Sequence, residues 1–194
     1  MSQLDDYVAG AVSTESTIDE VKENKQFLQQ ILIMHIATGK VLEQFKNNAF
    51  YNREYSLDGL DKNLTNLVDA LAVIAPIPTM EVVDNEEVLD INPRIFHSIL
   101  GASTESVELL EALNFDGDMD LVNIGEEFGD LNWYQAIFCD AAGIKWDDIL
   151  DTNAEKLFKS NKARYKEGFS DDDDNERNLK DERNGLEALK IKSS

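Results

Sequence analysis

The chain has 194 residues, 42% of them hydrophobic, and a net charge of −21. That length suits one domain with an extension and is enough to bury a core. So acidic a surface excludes binding to nucleic-acid phosphates, which requires a clustered basic face, and disfavours an anionic membrane.

The N-terminal stretch MSQLDDYVAG lacks the basic and apolar regions of a signal peptide. The most apolar run, Ile31 to Ala37, is interrupted by His35 and is too short to span a bilayer. A soluble, cytoplasmic protein is therefore expected. Cys139 is the only cysteine, which rules out an intrachain disulfide, and its apolar neighbours suggest a buried, inert thiol.

Ser13 to Ile18 offers capping residues for a helix beginning there. From about Ile18 to Phe50, Val21, Leu28, Ile31, Leu32, Ile36 and Leu42 recur at helical spacing. A second helix is expected from about Leu57 to Ile74, with Leu60, Leu64, Leu67, Val68 and Leu71 on one face; Pro76 and Pro78 stop it. Thr79 to Asn92 is acidic and aperiodic and reads as a linker. No segment alternates with a period of two, so little sheet is expected.

The third helix runs from Pro93, well placed in a first turn, to about Leu113, with Ile95, Ile99, Leu100, Val107 and Leu110 on its apolar side. The fourth covers about Asp120 to Ala142 and ends at Gly143. The fifth starts near Trp146 and continues to about Tyr165. Asp171 to Asp174 reads as a solvated boundary, and Asn175 to Lys190 as a sixth helix on the outside or a frayed tail. The expected fold is an all-α helical bundle. Residues 1–92 form an extra N-terminal helical segment, 93–170 the main helices, and 171–194 the acidic boundary with its C-terminal helix or tail.

There is a loose internal echo: HIATGKVLEQF from His35 parallels HSILGASTESVELLEAL from His97, and NLVDALAVIA parallels GDLNWYQAIF. A decayed duplication would account for it, with Lys40 where Glu108 would stand and Asn66 where Glu127 would; so would the likeness of any two amphipathic helix pairs.

Two acidic pairs, Glu105/Glu108 and Glu127/Asp130, are each spaced i,i+3 and so project from one helix face. Leu109 to Glu126, eighteen residues, separates them, which is the length of a helix end, a turn and a helix start. Both pairs can then face each other in an antiparallel hairpin. Carboxylates crowded together repel unless protonated or joined by a cation, and hard oxygen ligands suit Mg²⁺ or Mn²⁺. Two solvated faces are the blander reading. A second metal reading uses the same stretch: Asp116, Asp118, Asp120 and Glu127 fall at positions 1, 3, 5 and 12 of an EF-hand calcium loop. Leu121 stands there where the sharp turn requires Gly, and Asn123 where an apolar residue is usual.

ILGASTESVELLEAL and then NIGEEFGDLNWY resemble the MazG-like, all-α nucleoside triphosphate pyrophosphohydrolases, whose hallmark is E-x-x-E, an intervening stretch, then E-x-x-D. Asn153, Lys156 and Leu157 are similar to the family's N-x-x-K-L, Arg164 and Tyr165 to its R-Y, and Gly168 and Phe169 to its subsequent G-F. Arg177, Leu179, Glu182 and Arg183 resemble its closing segment. Four extra residues separate Lys156–Leu157 from Arg164–Tyr165, close to one helical turn, and Lys166 stands where a proline is common. The layout is similar to versions carried by bacteriophages, which implies a host cytoplasm.

The resemblance covers about residues 93 to 190 and makes 93–170 the catalytic helices. It implies hydrolysis of a nucleoside triphosphate, with deoxynucleotides the expected substrates, to a monophosphate and pyrophosphate. Glu105, Glu108, Glu127 and Asp130 would hold Mg²⁺ (or Mn²⁺), with one glutamate, Glu105 the first choice, handling the attacking water. Asn153 would complete the metal shell or touch the sugar. Lys156 and Arg164 would meet the β and γ phosphates, with Tyr165 beside them. Lys and Arg late in a helix are also favoured without a ligand. A homodimer is expected, unless the first half substitutes for the partner. Trp133, Tyr134, His35 and His97 read as packing residues, and Glu111 and Glu126 as solvent-facing. The rival from another class is a non-enzymatic acidic interaction protein or nucleic-acid mimic.

Overall fold

The computed structural model describes residues 2–16, 18–113 and 117–159. Asp116, Arg164, Tyr165, the remaining family motifs beyond Lys159 and the C-terminal helix expected at 175–190 lie outside them.

Ser2 opens the first helix. Its hydroxyl accepts the Asp5 N–H while the Asp5 carboxylate accepts the Ser2 N–H, a reciprocal capping box. The helix it starts, α1, spans Gln3–Thr14. Leu4, Val8, Ala11 and Val12 fall on one face of it, so α1 is a packing helix. The sequence periodicity places no helix before about Ile18 and misses it.

The next helix also starts later than its spacing suggests. Residues Lys22–Glu23 (β1) are extended and pair antiparallel with Glu87–Val88 (β2), and the Leu89 N–H donates to the Val21 carbonyl. Asn24 then caps α2, Lys25–Tyr51, by accepting the Phe27 N–H. Left-handed Asn52 ends it, and Ser56 caps α3, Leu57–Ile74. Within the expected linker, Thr79–Asp84 forms a short helix, α4. Then come α5 (Pro93–Glu111), α6 (Leu121–Ala142) and α7 (Trp146–Ala154), the last running on as a π-helical turn over Glu155–Lys159. The fold is all-α; among the described residues the only sheet is the two-residue pair. No described helix is long and apolar enough to cross a membrane.

The chain divides into two compact units, Glu20–Asp90 and the combination of Met1–Asp19 with the residues from Ile91 onward. The sequence assigns everything before residue 93 to one segment. In the structure α1 instead groups with α5, α6 and α7, because its apolar face packs on α6.

In the first unit α2 and α3 form a hairpin whose seam centres on the buried Ala37 and Ala70. The Ser56 N–H donates to the Gln44 carboxamide, and the Asn48 carboxamide donates to the Arg53 carbonyl, fixing the turn.

In the second unit Ala11, Ala136 and Ile137 are buried together, flanked by Val8, Val12, Trp133 and Trp146. Polar straps hold α1 in place. Trp133 Nε1 donates to Thr14 Oγ1 at 3.0 Å, Tyr7 OH to the Gly129 carbonyl at 3.4 Å, and Ser2 Oγ to Asp147 Oδ2 at 2.7 Å. The Arg94 guanidinium bridges Glu15, just past α1, and Asp140 near the end of α6, each at 2.7 Å.

Candidate metal centre

Helix α5 begins where Asn92 accepts the Arg94 and Ile95 N–H groups, with Pro93 in the first turn. Helix α6 begins where Asp120 accepts the Val122 and Asn123 N–H groups, and ends at left-handed Gly143. Contacts between them run in opposite directions along the chain: Arg94 to Asp140, His97 to Tyr134, and Glu105 to Glu127. The two helices are therefore antiparallel, and the register brings the acidic pairs level.

Glu105, Glu127 and Asp130 each offer a carboxylate oxygen, and all three oxygens lie within 4.8 Å of one another. Two oxygens bound to one Mg²⁺ at its usual distances are separated by at most about 4.2 Å. Small side-chain rotations therefore close the set around a single ion, so the donor type and spacing fit the cation. Glu105 is 9% exposed and Glu127 7%, whereas Glu108 and Asp130 are open to solvent. Glu108 stands outside the tight trio, but its charge reaches both buried glutamates.

Burial pushes the Glu105 carboxyl above its usual range, helped by the charge of Glu108 and the hydrogen bond with Glu127. Burial and Glu108 also raise Glu127, although its hydrogen bond with Glu105 pulls the other way. Both carboxyls thus bind a proton more readily than a solvated glutamate does. A cation held by these carboxylates would compete with protonation and offset the repulsion.

Tyr134 forms one wall of the site. Burial raises its phenol, and the charges of Glu105, Asp130 and Glu108 add to the shift. Its ring meets the edges of His97 and Trp133 at centroid distances of 5.5 Å and 4.9 Å. A Cβ on Gly101 would overlap that ring, so glycine is what lets Tyr134 lie against α5. Neither Gly101 nor Arg94 stands out as a site residue in the sequence. The available signal is spacing: Gly101 precedes Glu105 by one turn and Tyr134 comes one turn after Asp130.

Asn153 is exposed near the end of α7, and Lys156 is half-buried in the π-helical turn. Glu111 and Glu126 face solvent, and His97 is a packing residue, whereas His35 is exposed. Cys139 is buried, and burial pushes its thiol up to about 11, so it stays protonated and inert. Asp120, position 5 of the EF-hand reading, directs its carboxylate at two backbone N–H groups.

No family model, curated protein or solved structure matches this chain.

Proposed function

We propose that this chain is a metal-dependent nucleoside triphosphate pyrophosphohydrolase of the MazG-like kind, cleaving between the α and β phosphates. The observation that supports this most is the convergence of Glu105, Glu127 and Asp130 from two facing helices, two of them buried. A protein that only displayed negative charge would have no reason to bury glutamates, since desolvating an unpaired carboxylate is costly. The order of the motifs around the cluster adds the resemblance to the pyrophosphohydrolases.

Glu105, Glu127 and Asp130, with Glu108 beside them, would hold Mg²⁺ or Mn²⁺. Bound there, the ion supplies charge neutralisation for the triphosphate, a water of lowered pKa and stabilisation of the transferring phosphoryl group. Exposed Glu108 and Asp130 stand on the open side of the cluster, where substrate arrives. Glu105 is the residue assigned to take the proton of the attacking water, because burial raises the proton affinity of its carboxylate. The roles of Asn153, Lys156, Arg164 and Tyr165 toward sugar and phosphates come from the resemblance.

The test is incubation with a panel of ribo- and deoxynucleoside triphosphates plus Mg²⁺ or Mn²⁺. Monophosphate and pyrophosphate are expected, with turnover abolished in Glu108→Gln and Asp130→Asn. A folded protein that turns over none of the panel, yet captures a basic partner tightly, would return the function to the acidic mimic.

A further inference from the structure

Helix α6 turns two adjoining stripes toward two different helices. With about 100° between successive residues, Glu127, Asp130 and Tyr134 fall within roughly 60° of one another, on the side that meets α5. Gly129, Trp133 and Ala136 fall within roughly 60° of one another on the next stripe round, and this side meets α1. There Tyr7 OH donates to the Gly129 carbonyl at 3.4 Å, the Trp133 indole N–H donates to Thr14 Oγ1 at 3.0 Å, and Ala136 is buried with Ala11. The two polar contacts bracket Asp130 along the helix, one on the residue before it and one nearly a turn after it. Trp133 joins the two stripes: its ring meets Tyr134 at 4.9 Å and His97 of α5 at 6.0 Å. Glu15, the residue after Thr14, is held by Arg94 of α5. The end of α1 that carries Thr14 is thus anchored to the other helix of the site.

We propose that α1 is a positioning element for the carboxylate cluster, with Thr14 acting through Trp133 to set the roll of α6 about its own axis. The proposal rests on the reading of Glu105, Glu127 and Asp130 as a cation site. Two helices that touch along one seam can roll against each other; a third helix on the adjoining face removes that freedom. At a carboxylate about 6 Å from the helix axis, a roll of about 10° is a displacement of about 1 Å. Metal–ligand distances tolerate only about 0.2 Å. Glutamate has one more rotatable bond than aspartate with which to absorb such a shift, so Asp130 is the ligand that the roll commits. Its place is fixed by what holds Gly129 and Trp133.

Mn²⁺ titration of the full chain by electron spin resonance tests this. Thr14→Val keeps the shape of the side chain and removes the acceptor; affinity is expected to fall by roughly threefold to tenfold. Thr14→Ser keeps the hydroxyl and should stay within about twofold of wild type. Ser2→Ala is the control: it removes a cap and a hydrogen bond to Asp147 at the opposite end of α1, where the partner is α7. It should lower stability in urea while leaving Mn²⁺ affinity within about twofold. If Thr14→Val loses helicity by circular dichroism, Tyr7→Phe, which removes only the hydroxyl bound to Gly129, takes its place with a fall of roughly threefold expected. A wild-type chain that binds no Mn²⁺ would overturn this proposal together with the metal reading. Three outcomes would overturn it alone, with wild type binding the ion: a folded Thr14→Val or its replacement as tight as wild type, a Thr14→Ser as weak as Thr14→Val, or a Ser2→Ala loss of affinity equal to that of Thr14→Val, which would make α1 a stabilising helix only.

Discussion

Gly101 and Tyr134 occupy one shared volume: the tyrosine ring lies where any side chain at position 101 would be. Gly101 is one turn before Glu105 and Tyr134 one turn after Asp130, so the depth to which this ring sinks sets how closely α5 and α6 approach at the carboxylates. Gly101→Ala is expected to push the ring out, costing about 1–3 kcal/mol through overpacking. It should also spread the carboxylates and lower Mn²⁺ affinity. Chemical denaturation and Mn²⁺ titration by electron spin resonance measure the two effects. A Gly101→Ala/Tyr134→Ala double variant should lose less than the two single variants combined, since the clash is removed with the ring.

Arg94 offers a second test, because its two carboxylate partners differ in burial. The Glu15 side chain is 1% exposed and that of Asp140 41%. Arg94→Met strands a buried carboxylate and should destabilise the fold by about 3–5 kcal/mol. Asp140→Asn removes only a solvated pair and should cost at most about 1 kcal/mol. Urea unfolding distinguishes them, and equal losses would mean that the Glu15 pair does not lock α1 to α5.

Much of this was legible in the sequence, and the limits have physical causes. The all-α fold follows from the i,i+3/i+4 recurrence of residues such as Leu60, Leu64, Leu67 and Leu71. The level pairing of Glu105 with Glu127 follows from the distance between the two acidic pairs. Helix α1 escaped because its apolar face is short and small-residued; the Ser2/Asp5 capping box was its clearest trace. The start of α2 was displaced because β1 pairs with residues more than sixty positions away, information that a local period does not contain. Tyr134 read as a packing residue because nothing local says that Gly101 lies across from it.

The raised pKa values of Glu105 and Glu127 fix the sign of a pH effect. A carboxyl raised in the folded state binds its proton more tightly there than in the unfolded chain. Its contribution to stability therefore falls as pH rises from the ordinary glutamate range through the raised value, and the full loss persists above it. Below the ordinary value the contribution vanishes. Metal-free wild type should thus lose stability relative to Glu105→Gln as pH is raised across that window. Mg²⁺ competes with the proton, so its stabilising shift in Tm should grow with pH over the same range. Thermal melts of both proteins with and without Mg²⁺ measure this. A wild-type/Glu105→Gln difference that does not vary with pH would contradict the burial of Glu105.

Two aspartates ten residues apart, Asp120 and Asp130, separate the two metal readings. Asp120 accepts the Val122 and Asn123 N–H groups at 3.1 Å each, satisfying donors that the first turn of α6 leaves open. Asp130 has no such duty; its oxygen lies with those of Glu105 and Glu127. Asp120→Ala should therefore cost about 1 kcal/mol of stability as a lost cap while leaving Mn²⁺ affinity within about twofold, a shift of under about 0.5 kcal/mol. Asp130→Asn should do the reverse: near-unchanged stability without metal, because one repelling charge is gone, and at least roughly tenfold weaker Mn²⁺ binding, about 1.4 kcal/mol. Calcium binding abolished by Asp120→Ala and spared by Asp130→Asn would instead place the ion in the loop before α6, and Glu127 would then serve it from the other direction.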